Sequence, residues 1–370
     1  MYPLLPLAVA ARKAGHDVVF ATGEDYLPIA RKAGLDAAPA GIGIGPAFNA
    51  ELADKAAQGW RLPPEQIDPI RATVFGVAMP RKFVADLGEL FQRQRPDLVV
   101  YELLNPGGAL AAKLAGVPAV GHGFGRLSDS PASLAMTEQV AGYAAELGFA
   151  GTEFPTFGDP FLDICPGSAQ APEFLTAANR LPLRPVGWNE PGDLPPGVVD
   201  SDRGRPLIYL TLGTVMGNAA VLRTAIDGLA ALDADILVAT GPSVRREGLG
   251  EVPANVRLEA WVPQADLLPH VDLMVHHGGS GSTLGAFGAG LPQLLVPQGA
   301  DQFTNADVVR ELGLGDRLIG EEVTAAAITE LATRLLSDAT VSAAAERMAA
   351  EVAAMPAPAE IAEQLPGLAG

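Results

Sequence analysis

At 370 residues the chain is too long for one ordinary domain and has room for two, each with its own core. An apolar content of 48% with 18% charged residues indicates a globular chain and excludes a disordered one. The formal net charge of −18 argues against nucleic acid as a partner, because 25 scattered lysine and arginine residues supply no basic face. The single cysteine, Cys165, excludes an internal disulfide bond. With no signal peptide and no apolar run long enough to span a bilayer, the sequence predicts a cytoplasmic protein.

Helix and strand patterns alternate along the first half of the chain. A helix pattern over 4–14 precedes a buried strand over 17–21, so the chain begins on a helix and not on the strand that usually opens an α/β domain. Later patterns predict a helix-to-strand step over 34–40, a helix around 77–94, a strand over 97–101, a helix over 107–115 and a strand over 117–120. The intervening segment 41–64 is rich in glycine and proline, which predicts a long, mobile loop.

Alternating strands and helices predict a parallel sheet that binds ligands at the carboxyl ends of its strands. Glu102 and His122 lie at two such ends. Periodic patterning stops over 182–206, a stretch dense in proline, glycine and acidic residues, and a new strand begins at Leu207. The same rhythm then continues through strands at 236–239, 257–258 and 294–296 to long alanine-rich helices over 324–354 and a last helix around 359–365.

The segment that organises the second half is His276-His277-Gly278-Gly279-Ser280-Gly281-Ser282-Thr283. A short apolar run precedes it and a small-residue helix follows it, so the glycines lie at a strand-to-helix turn. Free N–H groups and the helix dipole favour an anion there, and glycine lets a phosphate approach closely. The turn is not a P-loop, since it has no Gly-Lys-Ser/Thr, and Leu284 stands where the dinucleotide fingerprint needs its third glycine.

Other residues keep a fixed order around this turn, with Trp261-Val262-Pro263-Gln264 upstream and Gly290-Leu291-Pro292, Pro297 and Asp301-Gln302 downstream. The set resembles the nucleotide-sugar-binding signature of family 1 glycosyltransferases, which have the GT-B fold. It is most similar to the signature of the actinomycete enzymes that glycosylate antibiotics, such as the calicheamicin and macrolide glycosyltransferases. The signature spans 261–302, and similar patterning extends from Tyr2 to the last helix.

The resemblance implies an α/β protein with two Rossmann-like parallel-sheet domains that face a cleft. Residues 1–190 would form the acceptor-binding domain and 191–205 a linker. Residues 206–355 would form the nucleotide-sugar-binding domain, and 356–370 a C-terminal helix that crosses back to the first domain.

The resemblance also implies a set of donor-binding residues. Trp261 would stack on the nucleotide base, His277 and the glycine turn would hold the diphosphate, and Asp301 with Gln302 would bond sugar hydroxyls. Each has an alternative interpretation. His277 also suits a core or capping histidine and Trp261 a core residue, while Thr214 suits a plain turn and Asp301, Ser282 and Thr283 suit helix N-caps. His276, on the opposite face of the same strand, is expected to be structural. The implied donor-binding set is Thr214, Trp261, Val262, Gln264, His277, Gly279, Ser280, Gly281, Ser282, Thr283, Asp301 and Gln302.

One departure from the family pattern concerns the donor nucleotide. In the plant enzymes that use UDP-sugars, a glutamate eight residues after the phosphate histidine binds both ribose hydroxyls, and that place here is Gly285. The missing acid favours a deoxyribose nucleotide, and the resembling antibiotic enzymes commonly use dTDP-deoxysugars. Gln264 remains a candidate contact to the ribose.

The resemblance implies sugar transfer to an acceptor hydroxyl with inversion at the anomeric carbon, while the nucleoside diphosphate leaves. The family's general base is a histidine two residues before the Tyr-Pro pair that Tyr2-Pro3 matches, a position that would precede Met1. The first strand and this histidine are therefore expected to be absent from the sequence, and little or no glycosyltransferase activity is expected of the chain unless they are supplied. Glu102 matches the acidic partner that orients the base. Without an Asp-x-Asp motif or a ligand cluster near the site, no metal and no cofactor are expected beyond the nucleotide-sugar co-substrate.

The expected partners are a dTDP- or UDP-sugar donor and a hydrophobic aglycone acceptor, with no nucleic acid; a homodimer is left open. The irregular segments 41–60 and 122–133 predict the acceptor pocket, with Tyr2 and His122 as acceptor-binding candidates. Two other classes stay open, an inactive or binding-only nucleotide-sugar protein and a nucleotide-sugar epimerase. A turnover assay separates the first, and an assay without acceptor separates the second.

Overall fold

The structure, a computed structural model, describes residues 1–52, 64–127, 131–149, 156–176, 179–199, 204–213, 218–242, 244 and 246–369. The chain folds into two compact units, Met1–Arg184 together with Pro356–Gly370, and Pro185–Met355. No helix in the described ranges has both the length and the apolar content needed to cross a membrane.

The described strands of the first unit form two parallel sheets. One sheet pairs β1 (Val19–Thr22) with β2 (Asp36–Pro39). The other has the order β3 (Val99–Glu102), β4 (Ala119–His122), β5 (Phe161–Asp163) and β6 (Arg180–Pro182). Glu102 of β3 stands opposite His122 of β4. Both residues therefore lie at the carboxyl end of the second sheet and on the same face of it, since residues paired in register share a face.

The helices of the first unit are α1 (Leu5–Lys13), α2 (Leu27–Lys32), α3 (Ile44–Leu52), α4 (Pro64–Thr73), α5 (Met79–Arg93), α6 (Pro106–Ala115), α7 (Pro131–Glu146), α8 (Pro172–Leu175) and the C-terminal α15 (Pro358–Leu368). A π-helical turn, Val74–Ala78, joins α4 to α5. The last helix packs on α1, where His16 Nε2 donates to the Ala362 carbonyl at 3.0 Å. As predicted, the chain thus returns to the first unit after Met355.

The predicted mobile loop over 41–64 is wrong in part, because Ile44–Leu52 is helical. Phe48 and Leu52 recur at helical spacing and pack on Ile67 and Val74. Burial of this apolar stripe outweighs the low helix propensity of the glycine within it. Residues 53–63 lie outside the described ranges.

The described strands of the second unit form one six-stranded parallel sheet with helices on both faces. Its strands stand in the order β12 (Gly315–Arg317), β11 (Gln293–Leu295), β10 (Leu273–His276), β7 (Leu207–Thr211), β8 (Asp235–Ala239) and β9 (Val256–Glu259). Its helices are α9 (Ala219–Leu229), α10 (Gln264–Leu267), α11 (Ser280–Ala289), α12 (Gln302–Glu311), α13 (Ala325–Ser337) and α14 (Ala339–Ala354). Side chains of β7 alternate between two cores, with Ile208 in one and Tyr209 in the other.

The predicted linker over 191–205 falls inside the second unit. Leu194 and Val198 pack on the core that contains Tyr209, and Arg257 donates to the Pro196 carbonyl at 3.1 Å. The proline-rich sequence interrupts the regular elements, yet its apolar side chains are placed to cover one face of the sheet.

Candidate functional site

The order of strands fixes where a ligand would bind in the second unit. Strand order runs outward from β7 to β8 and β9 on one side and from β10 to β11 and β12 on the other. In open parallel sheets this reversal leaves a crevice at the carboxyl ends of the two central strands. Thr211 ends β7 directly opposite His276, which ends β10. The turn His277–Gly279 and the start of α11 at Ser280 therefore lie at this crevice, as the sequence indicated.

The ring of His277 is seated against two glycine residues. A Cβ atom added to Gly213 would lie 2.6 Å from His277 Nε2, and one added to Gly279 would lie 2.5 Å from the same atom. Gly213 also has φ +75°, a backbone conformation that favours glycine. The His277 ring therefore has room only because neither Gly213 nor Gly279 carries a side chain.

The two ring nitrogens of His277 differ in their surroundings. Nδ1 is buried and has no hydrogen-bond partner among the residues that the structure describes. Burial lowers the pKa of His277, while the Asp301 carboxylate and a hydrogen bond with the Thr211 backbone act in the opposite direction. A buried polar atom without a partner costs about 1 to 3 kcal/mol. A diphosphate oxygen could engage Nδ1 only if Nδ1 carries a proton, and the negative charge of that ligand favours the protonated ring that supplies this donor.

His276 lies on the opposite face of the strand from His277 and shapes the turn. Its Nδ1 accepts the Gly278 N–H at 3.1 Å, so its Nε2 carries the proton and donates to Gln293 Oε1 at 2.9 Å. The side chain is completely buried, and burial lowers the pKa of His276 to about 3. A neutral histidine with both nitrogens engaged is structural, in keeping with the expectation from strand alternation.

Asp301 does not cap its own helix. Although it precedes α12, its side chain makes no cap bond there; Oδ2 instead accepts the Ser280 N–H at 3.2 Å and the Ser280 hydroxyl at 2.7 Å. One carboxylate oxygen thus occupies the first N–H of α11. The next two N–H groups, of Gly281 and Ser282, have no acceptor within the helix, because the first intrahelical bond runs from Thr283 N to the Gly279 carbonyl.

The loop that carries Asp301 is held in a strained form. Ala300 has φ +56°, which costs a residue with a Cβ atom about 1 kcal/mol or more. Gln302 fixes this bend, since its Oε1 accepts the N–H groups of Gln298 at 2.7 Å and Gly299 at 3.1 Å. The amide oxygen of Gln302 therefore holds the loop. The Thr283 hydroxyl has a similar local role, because it is buried and donates to the Gly279 carbonyl at 3.1 Å.

The predicted base-binding residues lie along the same edge. Trp261 is 51% exposed and is backed by Gly192, where an added Cβ would lie 2.8 Å from the indole ring. Val262 is buried in the core, so its side chain does not face a ligand. Gln264 Oε1 accepts the Tyr209 hydroxyl at 3.4 Å, and its Nε2 lies 3.6 Å from the place of a Cβ on Gly285. The Gln264 amide thus stands over the position where the plant pattern has glutamate.

Two candidates of the first unit, Glu102 and His122, lie together at the carboxyl end of the second sheet. Glu102 Oε1 accepts the Leu104 N–H at 3.1 Å, and burial raises the pKa of the Glu102 carboxyl. His122 is fully buried and donates from Nδ1 to the Gly123 carbonyl at 2.6 Å; its Nε2 has no partner within the described part of the chain. Burial lowers the pKa of His122 to about 4. Tyr2 is 47% exposed, and Thr214 lies outside the described residues.

Sequence reasoning missed Asn305, which lies one turn after Asp301 in α12. Its Nδ2 is within 3.3 Å of the Gly278 carbonyl, the Ser280 hydroxyl and Asp301 Oδ2. The spacing of four residues after Asp301 was a signal, because it puts two polar side chains on one helix face. In the ranges that the structure covers, no group of three or more His, Cys, Asp or Glu residues is arranged to hold a metal ion.

Comparison with known proteins agrees with this architecture. Models of the N-terminal and C-terminal domains of the family described as erythromycin biosynthesis protein CIII-like match residues 9–191 and 223–368. The L-demethylnoviosyl transferase of Streptomyces niveus is 34% identical over 372 residues, which cover 99% of this chain and 94% of that protein.

Solved structures extend the comparison to the fold. The glycosyltransferase SnogD from Streptomyces nogalater is 30% identical, with a TM-score of 0.79 over 100% of this chain and 96% of its own. The glycosyltransferase VinC, solved in complex with dTDP, is 26% identical, with a TM-score of 0.81 and the same coverage. These similarities confirm the predicted GT-B fold and the resemblance to antibiotic glycosyltransferases.

Proposed function

Because the chain belongs to the erythromycin biosynthesis protein CIII-like family of glycosyltransferases, we propose that it moves a deoxysugar from dTDP to a hydroxyl group of a natural-product aglycone. The observation that carries the proposal is one strand-to-helix turn with two unused polar features among the described residues: the buried Nδ1 of His277 has no partner, and the Gly281 and Ser282 N–H groups have no acceptor within α11. A histidine that ends a strand next to a helix N-terminus is suited to a diphosphate.

Each part of the donor has a corresponding residue. The thymine ring stacks on the exposed face of Trp261, which the Gly192 backbone supports from behind. The Gln264 amide, above Gly285, lies beside a sugar ring that lacks the 2′-hydroxyl. Asp301 keeps Oδ2 on Ser280 and offers Oδ1 to a hydroxyl of the transferred sugar, with Gln302 beside it. Support for dTDP also comes from VinC, a structural neighbour solved with that nucleotide.

The proposed reaction inverts the anomeric carbon. An acceptor hydroxyl attacks the face opposite the diphosphate, the bond from the anomeric carbon to the phosphate oxygen breaks, and a general base takes the acceptor proton. Negative charge grows on the leaving dTDP, where His277 and the α11 N-terminus stabilise it electrostatically. Because these groups supply the positive potential, the reaction is proposed to need no metal ion. In the family this base is the histidine two residues before the Tyr-Pro pair that Tyr2-Pro3 matches. Glu102 is proposed to orient it, while Tyr2 and His122 contribute to acceptor binding.

Turnover with matched donors tests this function. In this and every later turnover assay, a family-like first strand and base histidine are joined to the chain ahead of Tyr2. This protein is offered a dTDP-deoxysugar or the corresponding UDP-sugar together with a panel of hydrophobic aglycones that carry hydroxyl groups. Nucleotide release and the anomeric configuration of the product are then measured. The proposal predicts use of the dTDP donor at least as well as the UDP donor, and a glycoside of opposite configuration to the donor. A product of unchanged configuration, a clear preference for UDP, or donor conversion that needs no acceptor would contradict it.

A further inference from the structure

Gly278 lies between β10 and α11, and the residues packed around it constrain its backbone conformation. It has φ +89°, and an added Cβ would lie 2.9 Å from the Gln302 carbonyl oxygen and 3.1 Å from Leu295. The path of this one residue determines where His277 and the α11 N-terminus point.

Buried side chains hold Gly278 on both sides. Its N–H donates to His276 Nδ1 at 3.1 Å, and its carbonyl accepts from Asn305 Nδ2 at 2.8 Å. His276 is completely buried, and Asn305 is only 5% exposed. The peptide groups before and after Gly278 are therefore each fixed by a side chain that water reaches poorly.

Asn305 ties three parts of the donor site together. One N–H of its amide donates to the Gly278 carbonyl. The other N–H donates to both the Ser280 hydroxyl oxygen at 3.3 Å and Asp301 Oδ2 at 3.2 Å. The orientation of the amide is fixed, because a carbonyl and a carboxylate can only accept. Asparagine is a poor helix former, so these contacts, and not helix propensity, account for it inside α12.

We infer that Asn305 is a positioning residue for the diphosphate site, which sets the His277–Ser280 turn and the Asp301 carboxylate relative to each other. It acts through Gly278 and Asp301 and does not touch the ligand. The inference rests on the proposed function, since it assumes that the turn binds the β-phosphate of the donor nucleotide. Loss of Asn305 should therefore weaken the recognition of the diphosphate more than the recognition of the nucleoside.

The test compares the affinities of dTDP and dTMP by calorimetric titration. Asn305→Leu keeps a similar shape and removes all three bonds, and Asn305→Ser is a smaller change in case the leucine variant does not fold. Asp307→Asn is the matched control, because it breaks an ion pair to Arg317 from the same helix without contact with the turn. We expect the ratio of dTDP to dTMP affinity to fall about tenfold or more in the Asn305 variants and to stay unchanged in the control.

A purely structural role for Asn305 would lower thermal stability and leave the affinity ratio unchanged. If the wild type binds dTDP more tightly than dTMP and the folded Asn305 variants keep the same affinity ratio, the inference about Asn305 is wrong and the proposed diphosphate site stands. Equal affinities for dTDP and dTMP in the wild type would instead contradict the proposed diphosphate site.

Discussion

Substitution of Gly279 by alanine probes the seat of the His277 ring. Gly279 has φ −63° and ψ 144°, which alanine adopts freely, so the backbone accepts the change. The new Cβ would lie 2.5 Å from Nε2 and 3.2 and 3.3 Å from two ring carbons. Ordinary contact begins near 3.4 Å. The ring must therefore move by about 1 Å, a displacement that can cost about a hundredfold in rate, or about 2.7 kcal/mol of transition-state stabilisation.

The assay is nucleotide release from a dTDP-sugar under steady-state conditions, together with urea unfolding. We expect the turnover of Gly279→Ala to fall about a hundredfold, while overpacking of the ring lowers the free energy of unfolding by about 1 to 3 kcal/mol, which leaves the protein folded. Gly288→Ala is the control in the same helix, because its Cβ would meet only Val352, at an ordinary 3.7 Å. Wild-type turnover in a folded Gly279→Ala variant would refute a catalytic role for the ring in this position.

Three further predictions concern charge. His277→Ala should lower turnover about a hundredfold or more with the fold intact, as kinetic and unfolding measurements would show; unchanged turnover and nucleotide affinity would contradict the assignment. Chelation with excess EDTA should leave turnover unchanged, and a loss restored by added Mg²⁺ or Mn²⁺ would show that a metal takes part. The pKa of His122 is about 4 in the folded protein and 6.5 in the unfolded chain. Between these pH values only the unfolded chain binds the proton of His122, so the free energy of unfolding decreases as pH falls from 6.5 to 4. When the pH falls from 7 to 5, the free energy of unfolding in urea should drop about 2 kcal/mol less in His122→Gln than in the wild type. Equal drops in the two proteins would refute a buried, neutral His122.

Local sequence predicted the central turn well. An apolar run, three closely spaced glycines and a small-residue helix are all properties of adjacent residues, and β10 and α11 follow them. The contacts that make this turn a site come from distant segments. Gly213 meets His277, and Asp301 reaches back to Ser280; only the folded sheet brings these pairs together. Periodicity contains no information on such pairs.

The missed helices have a different cause. Met136, Val140, Tyr143 and Ala144 are buried along α7 at helical spacing, yet no helix was predicted there. In α3 the glycine and proline residues likewise favoured a loop prediction, although Phe48 and Leu52 have helical spacing. In both segments tertiary burial decided the structure over local composition.

The most direct test of the central claim, that the glycine turn of the second unit binds the diphosphate of a dTDP-sugar, is calorimetric titration of the wild type and His277→Ala with dTDP and dTMP. The account predicts that the wild type binds dTDP at least tenfold more tightly than dTMP, because only dTDP brings a second phosphate to His277 and the α11 N-terminus. It also predicts that His277→Ala loses most of this difference and keeps its dTMP affinity. Equal binding of the two nucleotides by the wild type, or an undiminished preference for dTDP in His277→Ala, would contradict it.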